Sequence, residues 1–238
     1  MVAQVANTMH DDMPAMEPPV ELAVYDFDGT LLMGKSPVIL MRRLLLSHSL
    51  KLGTSLSIGL WGLAYKMHLP VEEAWVRERV FRAFAGQPQK QVDEYLYDFY
   101  DTYIASRLRL SLLKRIDEDR KQGCVIVTVS ATFEPIVTRM AEHGVVDYAI
   151  ATRMQVDTKG CYLAKVDGLP VEGEEKLATL NRFANAQFGE GGWMLKRAYS
   201  DHYSDKPLLY AAEEAIAVGP DSGLKAAARK NGWEIIDE

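Results

Sequence analysis

The stretch VYDFDGTLL, residues 24–32, decides the fold of this chain. An apolar run of strand-forming residues ends there in two carboxylates one residue apart, Asp26 and Asp28, and Gly29 and Thr30 follow directly. Residues i and i+2 of an extended backbone point to the same side, so we expect both carboxylates to face one pocket. Gly29 supplies the backbone freedom that the chain needs where it leaves the sheet.

Taken by itself, this stretch fits a strand-end turn, a calcium loop, or a catalytic or cation-binding pair of acids. Asp-Gly is common in turns, so the first reading stays open. An EF-hand loop beginning at Asp26 needs a bidentate Glu at its twelfth position, where this chain has Pro37, so the calcium loop is excluded. Two adjacent carboxylates repel each other unless a cation neutralises them, and Mg²⁺ with oxygen ligands is the usual solution.

Short apolar runs alternate with helical patterns along much of the chain. We predict strands over 22–28, 124–130, 148–152, 198–200, 216–220 and 234–237, and helices over 132–143, 174–189, 205–214 and 221–231. This alternation predicts an α/β fold in which helices cover both faces of a parallel sheet. Sheets of this kind bind ligands at the carboxyl ends of their strands.

The region 35–120 interrupts the alternation. It shows helical periodicity and no strand pattern, so we predict an all-helical cap inserted over the edge of the sheet. The catalytic core then consists of 20–34 and 121–238, and residues 1–19 are predicted to form a flexible tail. Within the core, a hairpin is predicted over 154–168.

The composition excludes some classes of protein. The 238 residues are 48% hydrophobic and 25% charged, as in ordinary globular proteins, and the net charge is −6. Nucleic acid is therefore not expected as a partner, because binding to its phosphate backbone needs a basic face. The two cysteines, Cys124 and Cys161, show no disulfide framework and no CxxC spacing, which predicts a reducing, cytoplasmic setting.

The segment 49–69 is apolar and roughly as long as a membrane span, but Lys51, Lys66 and His68 interrupt it. A spanning helix needs about 20 mostly apolar residues with few charges. We therefore interpret the segment as helices packed within the protein or in a subunit interface, which allows a homodimer. Contact with a membrane surface is the alternative.

Four polar residues later in the chain are candidates for chemistry. Ser130 ends a predicted strand, where a hydroxyl and the following N–H groups suit a phosphate oxygen. Lys176 lies in the first turn of a predicted helix, which the helix dipole disfavours unless the lysine faces an anion; a solvated surface lysine is the alternative. Asp201 follows a short strand and Asp205 comes four residues later, although either could simply cap a helix.

Taken in order, DFDGTL, Ser130, Lys176 and SDHYSD (200–205) resemble the four motifs of the haloacid dehalogenase-like (HAD) phosphohydrolases. The stretches SATFEPIV, GEEKLATL and VGPDSGLKAAARKNGWEIID are similar to the phosphoserine phosphatase-like subgroup, subfamily IB, which carries a helical C1-type cap. The resemblance covers about 20–238 and implies a HAD-like Rossmannoid core of three layers. It also implies a Mg²⁺-dependent phosphomonoester hydrolase that works through an aspartyl-phosphate.

The resemblance implies a role for each acid. Asp26 attacks phosphorus, while Asp28 protonates the leaving alcohol and later activates water. Mg²⁺ is held by the Asp26 carboxylate, the Asp28 carbonyl and Asp201, and Asp205 acts through a water or orients a ligand. Phosphoryl oxygens are bound by Ser130, the Ala131 amide, Gly29 and Thr30, and Lys176 offsets charge on these oxygens and on Asp26.

The stretch LLMGKSPV, residues 31–38, bears on the substrate. Phosphoserine phosphatases generally carry a Glu shortly after the nucleophile motif to bind the substrate's ammonium group, whereas this chain has Gly34, Lys35 and Ser36. Serine phosphate is therefore disfavoured, and Lys35 would suit a second anionic group. A small phosphorylated metabolite is expected, with a phosphatidylglycerophosphate-like lipid at a membrane surface, or a catalytically silent binding domain, as alternatives.

Overall fold

The computed structural model of the chain describes residues 18–46 and 80–237. The predicted tail over 1–19 lies outside them except for its last two residues, and the segment 49–69 lies outside them entirely. Within the described ranges, no helix is both long enough and apolar enough to cross a membrane.

The described residues form eight strands in two sheets. Their bounds are β1 Val20–Tyr25, β2 Val125–Phe133, β3 Tyr148–Thr152, β4 Met154–Val156, β5 Tyr162–Val166, β6 Trp193–Ser200, β7 Glu214–Val218 and β8 Glu234–Ile236. Six of them form a parallel sheet in the order β3-β2-β1-β6-β7-β8, and β4 and β5 form an antiparallel hairpin. The predicted hairpin over 154–168 is thereby confirmed.

Strand β1 lies in the interior of the sheet. Its last four residues, Leu22 to Tyr25, are fully buried, as expected for an apolar strand in a parallel sheet. It pairs with β2 on one side and with β6 on the other. Asp26 directly follows β1 and Asp201 directly follows β6, while Ser130 lies near the end of β2. The topology therefore brings these three residues to one edge of the sheet.

Helices cover both faces of the sheet. Their bounds are α1 Ser36–Leu46, α2 Gln89–Phe99, α3 Leu110–Lys121, α4 Glu134–Glu142, α5 Glu174–Phe188, α6 Lys206–Ala211 and α7 Ser222–Asn231. One buried cluster joins the sheet to α3 and α4 through Ile116 and Ile136. A second cluster joins the other face to α5, α6 and α7 through Leu180, Leu208 and Leu224. The predicted three-layer α/β fold is confirmed.

The part of the predicted cap that the structure describes is helical. It comprises α1, the helical residues 80–84, α2, a π-helical turn over Tyr100–Ile104 and a 3₁₀ turn over Ala105–Arg107. Two linkers connect this part to the sheet and pair with each other, because Met33 N–H donates to the Arg107 carbonyl and Arg109 N–H donates to the Leu31 carbonyl. Helix α3 also lies almost entirely within the predicted cap, 35–120, and the predicted bounds of cap and core stay a prediction.

Most predicted strands have somewhat different bounds in the structure, and two of these differences have a clear cause. The strand predicted over 22–28 ends at Tyr25, because the chain then turns and Leu32 N–H donates to the Phe27 carbonyl. The strand predicted over 198–200 already begins at Trp193. The sequence pattern does not show the first part of this strand, because the charged residues Lys196 and Arg197 interrupt the apolar run.

Candidate active site

The loop after β1 is held tightly by backbone hydrogen bonds. Asp26 N–H donates to the Tyr199 carbonyl over 2.9 Å, and Gly29 N–H donates to the carbonyls of Leu32 and Gly34. Gly29 adopts φ +89°, and a Cβ at this position would lie 2.0 Å from Asp201 Oδ2. Only glycine lets the loop and the Asp201 carboxylate approach this closely.

Lys176 lies buried between two carboxylates. Its Nζ donates to Asp26 Oδ1 over 2.6 Å and to Asp205 Oδ2 over 2.5 Å, and the lysine is only 4% exposed. Burial by itself would lower the pKa of Lys176, but the two carboxylates raise it above its ordinary value, so the side chain stays charged. Burial raises the pKa of Asp26, and Lys176 opposes that rise.

Asp201 and Asp205 follow β6 but contact different groups. Asp205 ends a short 3₁₀ turn, and its Oδ2 also accepts a hydrogen bond from Ser200 Oγ over 2.6 Å. Asp201 Oδ1 accepts from Thr30 Oγ1 over 3.4 Å, and Thr30 Oγ1 lies equally far from Asp26 Oδ2. Thr30 therefore links the loop after β1 to the end of β6.

Asp28 is held at the start of helix α1. Its Oδ1 accepts from Ser36 N–H over 2.5 Å, and its Oδ2 accepts from Ser36 Oγ over 3.0 Å. Burial raises the pKa of Asp28 to about 7, and the Ser36 hydrogen bonds oppose that rise. A carboxyl group with this pKa can either donate or accept a proton near neutral pH.

Ser130 is buried near the end of β2. The strand continues to Phe133, three residues further than predicted, but its pairing with β3 becomes irregular after Ser130. Within this irregular part, Thr132 N–H donates to Ser130 Oγ over 3.1 Å. Thr132 Oγ1 lies 2.6 Å from Ser36 Oγ, which connects the strand end to the residue that holds Asp28.

Sequence reasoning missed three residues that shape this site. Ser36 precedes a proline and opens α1, a helix-start signal that could have shown it. Thr132 lies within β2, and only its place two residues after Ser130 could have pointed to it. Arg109 donates from Nε to the Thr30 carbonyl and from one terminal nitrogen to the Gly29 carbonyl, and no local pattern in the sequence predicts this.

The residues present fit a divalent cation. Lys35 Nζ already lies 3.1 Å from the Asp28 carbonyl oxygen and 3.2 Å from Asp201 Oδ2, so two hard oxygen ligands face one cation. No group of three or more His, Cys, Asp or Glu side chains within 18–46 and 80–237 could hold a metal by itself. A magnesium site here would consist of the carboxylates of Asp26 and Asp201 together with that backbone carbonyl.

Adjacent strand ends of the parallel sheet bring together a buried aspartate–lysine pair, a second acid and hydroxyl groups. This arrangement is typical of a class of hydrolases that act on anionic groups. The family model for haloacid dehalogenase-like hydrolases matches residues 23–210, and the chain belongs to this family.

Two curated relatives support a finer placement. Histidinol-phosphatase of Neisseria meningitidis serogroup C (strain 8013) is 26% identical over 155 residues, which are 64% of this chain and 69% of that protein. Phosphoserine phosphatase SerB1 of Mycobacterium tuberculosis (strain ATCC 25618 / H37Rv) is 27% identical over 243 residues, covering 95% of this chain and 77% of that protein. With the family match, these relatives confirm the predicted enzyme class, a HAD-type phosphatase acting on phosphoric monoesters.

Solved structures show the same fold. A protein of unknown function from Bordetella pertussis Tohama I has a TM-score of 0.78 at 23% identity, and the match covers 92% of this chain and 99% of that chain. A substrate-bound phosphoserine phosphatase complex has a TM-score of 0.63 at 21% identity, covering 93% of this chain and 95% of that chain. The predicted likeness to the phosphoserine phosphatase-like subgroup is confirmed.

Proposed function

We propose that this chain is a Mg²⁺-dependent phosphatase that hydrolyses a small phosphorylated metabolite through an aspartyl-phosphate on Asp26. The observation that carries this proposal is the buried contact of Lys176 with Asp26 and Asp205 at the end of the central strand. An ammonium group held this way favours the ionised form of the Asp26 carboxylate against the effect of burial, and an ionised carboxylate is what nucleophilic attack requires.

The reaction proceeds in two displacements. An Asp26 oxygen attacks phosphorus and forms an O–P bond, while the bond to the leaving alcohol breaks and the Asp28 carboxyl gives that oxygen a proton. Asp28, now a carboxylate, then takes a proton from water as the water oxygen attacks phosphorus. The bond to Asp26 breaks, and inorganic phosphate leaves with both acids restored. Ser36 supports this role because it fixes the Asp28 carboxyl by two hydrogen bonds.

The proposed metal ligands are the Asp26 carboxylate, the Asp28 carbonyl and Asp201, with Asp205 acting through a water. When bound, Mg²⁺ supplies positive charge that offsets the charge of a phosphate entering an acidic pocket. Ser200 and Lys176 hold Asp205 in a fixed orientation next to that pocket.

The phosphoryl oxygens have a separate set of proposed partners. These are the Ser130 hydroxyl, the Ala131 amide, the Thr30 N–H group and the Lys176 ammonium. The Gly29 N–H group, also predicted for this role, instead donates to the carbonyls of Leu32 and Gly34. Donors that are fixed before the substrate arrives stabilise charge without reorganising during the reaction. The hydrogen bond from Thr132 N–H and the burial of Ser130 support such preorganisation.

The substrate is proposed to be a phosphomonoester with a second anionic group. The relatives include a histidinol-phosphatase and a phosphoserine phosphatase, whose names imply substrates with an amino group. In this chain Lys35 lies beside Asp28 and Asp201, where it would repel a substrate ammonium and attract an anion. A cytoplasmic setting, homodimerisation and contact of segment 49–69 with a membrane surface remain predictions.

The test is hydrolysis of p-nitrophenyl phosphate with Mg²⁺ by the wild type and by Asp26→Asn. We expect measurable turnover in the wild type and a loss of more than about 100-fold in the variant, because the amide is not a nucleophile. Asp117→Asn changes an exposed carboxylate on α3 and should leave turnover unchanged. A wild type that is inactive on this ester and on a panel of phosphorylated metabolites and lysophospholipids would support the silent binding domain instead.

A further inference from the structure

Lys35 lies directly against the proposed magnesium site. Its Nζ contacts the backbone carbonyl of Asp28 and the carboxylate of Asp201 at 3.1 and 3.2 Å. It immediately precedes α1, in the turn that follows Gly34 at φ +111°. Its side chain is 30% exposed and that of Asp201 13%, so the pair lies at the mouth of the site rather than deep within it.

The two oxygens that Lys35 contacts are two of the three proposed metal ligands. A carboxylate and a carbonyl favour a cation, and the Lys35 ammonium satisfies that preference here. The Lys35 ammonium bridges these two oxygens, so it occupies the position that a divalent cation bound to both of them would take. Like charges at such short range repel each other. Either the lysine or the metal occupies them.

We propose that Lys35 is a resident cation that a divalent ion has to displace from Asp28 and Asp201 before it can bind. This inference rests on the proposed function, because it assigns the same oxygens to Mg²⁺. The partial exposure of Lys35 gives the ammonium a route into solvent when the metal enters. The apparent affinity for the metal is then lower than the affinity of the vacated site, by the fraction of molecules in which the lysine has left.

The test is isothermal titration of Mg²⁺ into chelator-treated protein without substrate. Lys35→Met is expected to bind Mg²⁺ at least about fivefold more tightly than the wild type, the lower end of typical coupling between two binding events. Its metal-free form should melt at a lower temperature, because Asp28 and Asp201 lose their counter-ion. Lys159→Met removes the same charge from the exposed turn of the hairpin and should leave both quantities unchanged.

A second variant tests whether the positive charge at position 35 sets the affinity for the metal. Lys35→Arg keeps the positive charge and should bind Mg²⁺ no more tightly than the wild type. Equal or weaker binding by Lys35→Met would overturn the proposal while leaving the metal site in place. Absence of Mg²⁺ binding in the wild type and in all variants would overturn the metal site itself, and this proposal with it.

Discussion

At the scale of single residues, Gly29 has the most demanding position in the site. It combines a positive φ with a contact that leaves no room for a side chain, because Asp201 occupies the space where a Cβ would lie. The same approach lets Thr30 reach both Asp26 and Asp201. One small residue thus sets the distance between the loop that follows β1 and the acid after β6.

Gly29→Ala is expected to displace Asp201 and to lower Mg²⁺ affinity and Mg²⁺-dependent hydrolysis by more than about 10-fold, since a cation ligand is moved. The strained backbone should also destabilise the fold by about 1–3 kcal/mol. Gly123→Ala is the matched control, because Gly123 has φ +92° and a Cβ there would enter open space among the described residues. It should reproduce the loss of stability and keep hydrolysis, and equal activity in both variants would contradict the role given to Gly29.

At the scale of secondary-structure elements, helix α3 is fixed to the sheet through one buried carboxylate. Asp119 accepts hydrogen bonds from Tyr25 on β1 over 2.6 Å and from Tyr199 on β6 over 3.0 Å. Arg197 contributes a third, over 2.8 Å. The two tyrosine rings stack with their centres 4.1 Å apart. Tyr25 directly precedes Asp26, and Tyr199 lies two residues before Asp201. The network therefore joins the two strands that carry Asp26 and Asp201.

Asp119→Ala is expected to destabilise the protein by about 3–5 kcal/mol, because it leaves two buried hydroxyls without their acceptor and breaks a buried ion pair. Arg197 keeps Glu214 as a partner in the variant, so the loss of stability is expected near the lower end of this range. The measurement is the midpoint of urea unfolding. Asp117→Ala on the exposed side of the same helix should leave this midpoint unchanged, and an equal shift in both variants would contradict the network.

At the scale of the whole molecule, the chain returning from the predicted cap forms hydrogen bonds with the loop that follows β1. Arg109 donates to the carbonyls of Thr30 and Gly29, and its own N–H donates to the Leu31 carbonyl. The paired linkers thus connect the chain that returns from the predicted cap to residues beside Asp26. A second contact between cap and core joins Asp101 in the π-helical turn to Arg139 on α4.

Arg109→Lys is expected to lower kcat by about 10- to 100-fold with a smaller effect on stability, because a point charge cannot hold two carbonyls in fixed positions. The measurement is steady-state hydrolysis of p-nitrophenyl phosphate together with the melting temperature. Arg107→Lys, an exposed change in the same linker, should retain wild-type kcat. A wild-type kcat in Arg109→Lys would show that the linker does not position the loop.

Much of this protein can be predicted from its sequence because the relevant signals are local. An apolar run ending in DFDGTL marks the central strand, and alternating strand and helix patterns predict a parallel sheet covered on both faces. Helix bounds agree closely for α5 and α7, where Gly173 precedes one helix and Asp221 caps the other. The order of the motifs identified the family that the comparisons confirm.

Tertiary structure decided which groups meet. Nothing near Lys176 in the sequence shows that its ammonium lies between Asp26 and Asp205, because this contact joins residues 150 positions apart. The different surroundings of Asp26 and Asp28 also follow from the fold, because β1 ends at Tyr25 and α1 then brings Ser36 to Asp28. Sequence alone determines which chemical groups stand at the strand ends, since periodicity and motif order are local. Their partners are determined by long-range packing, which brings distant strand ends and helix starts together at one edge of the sheet.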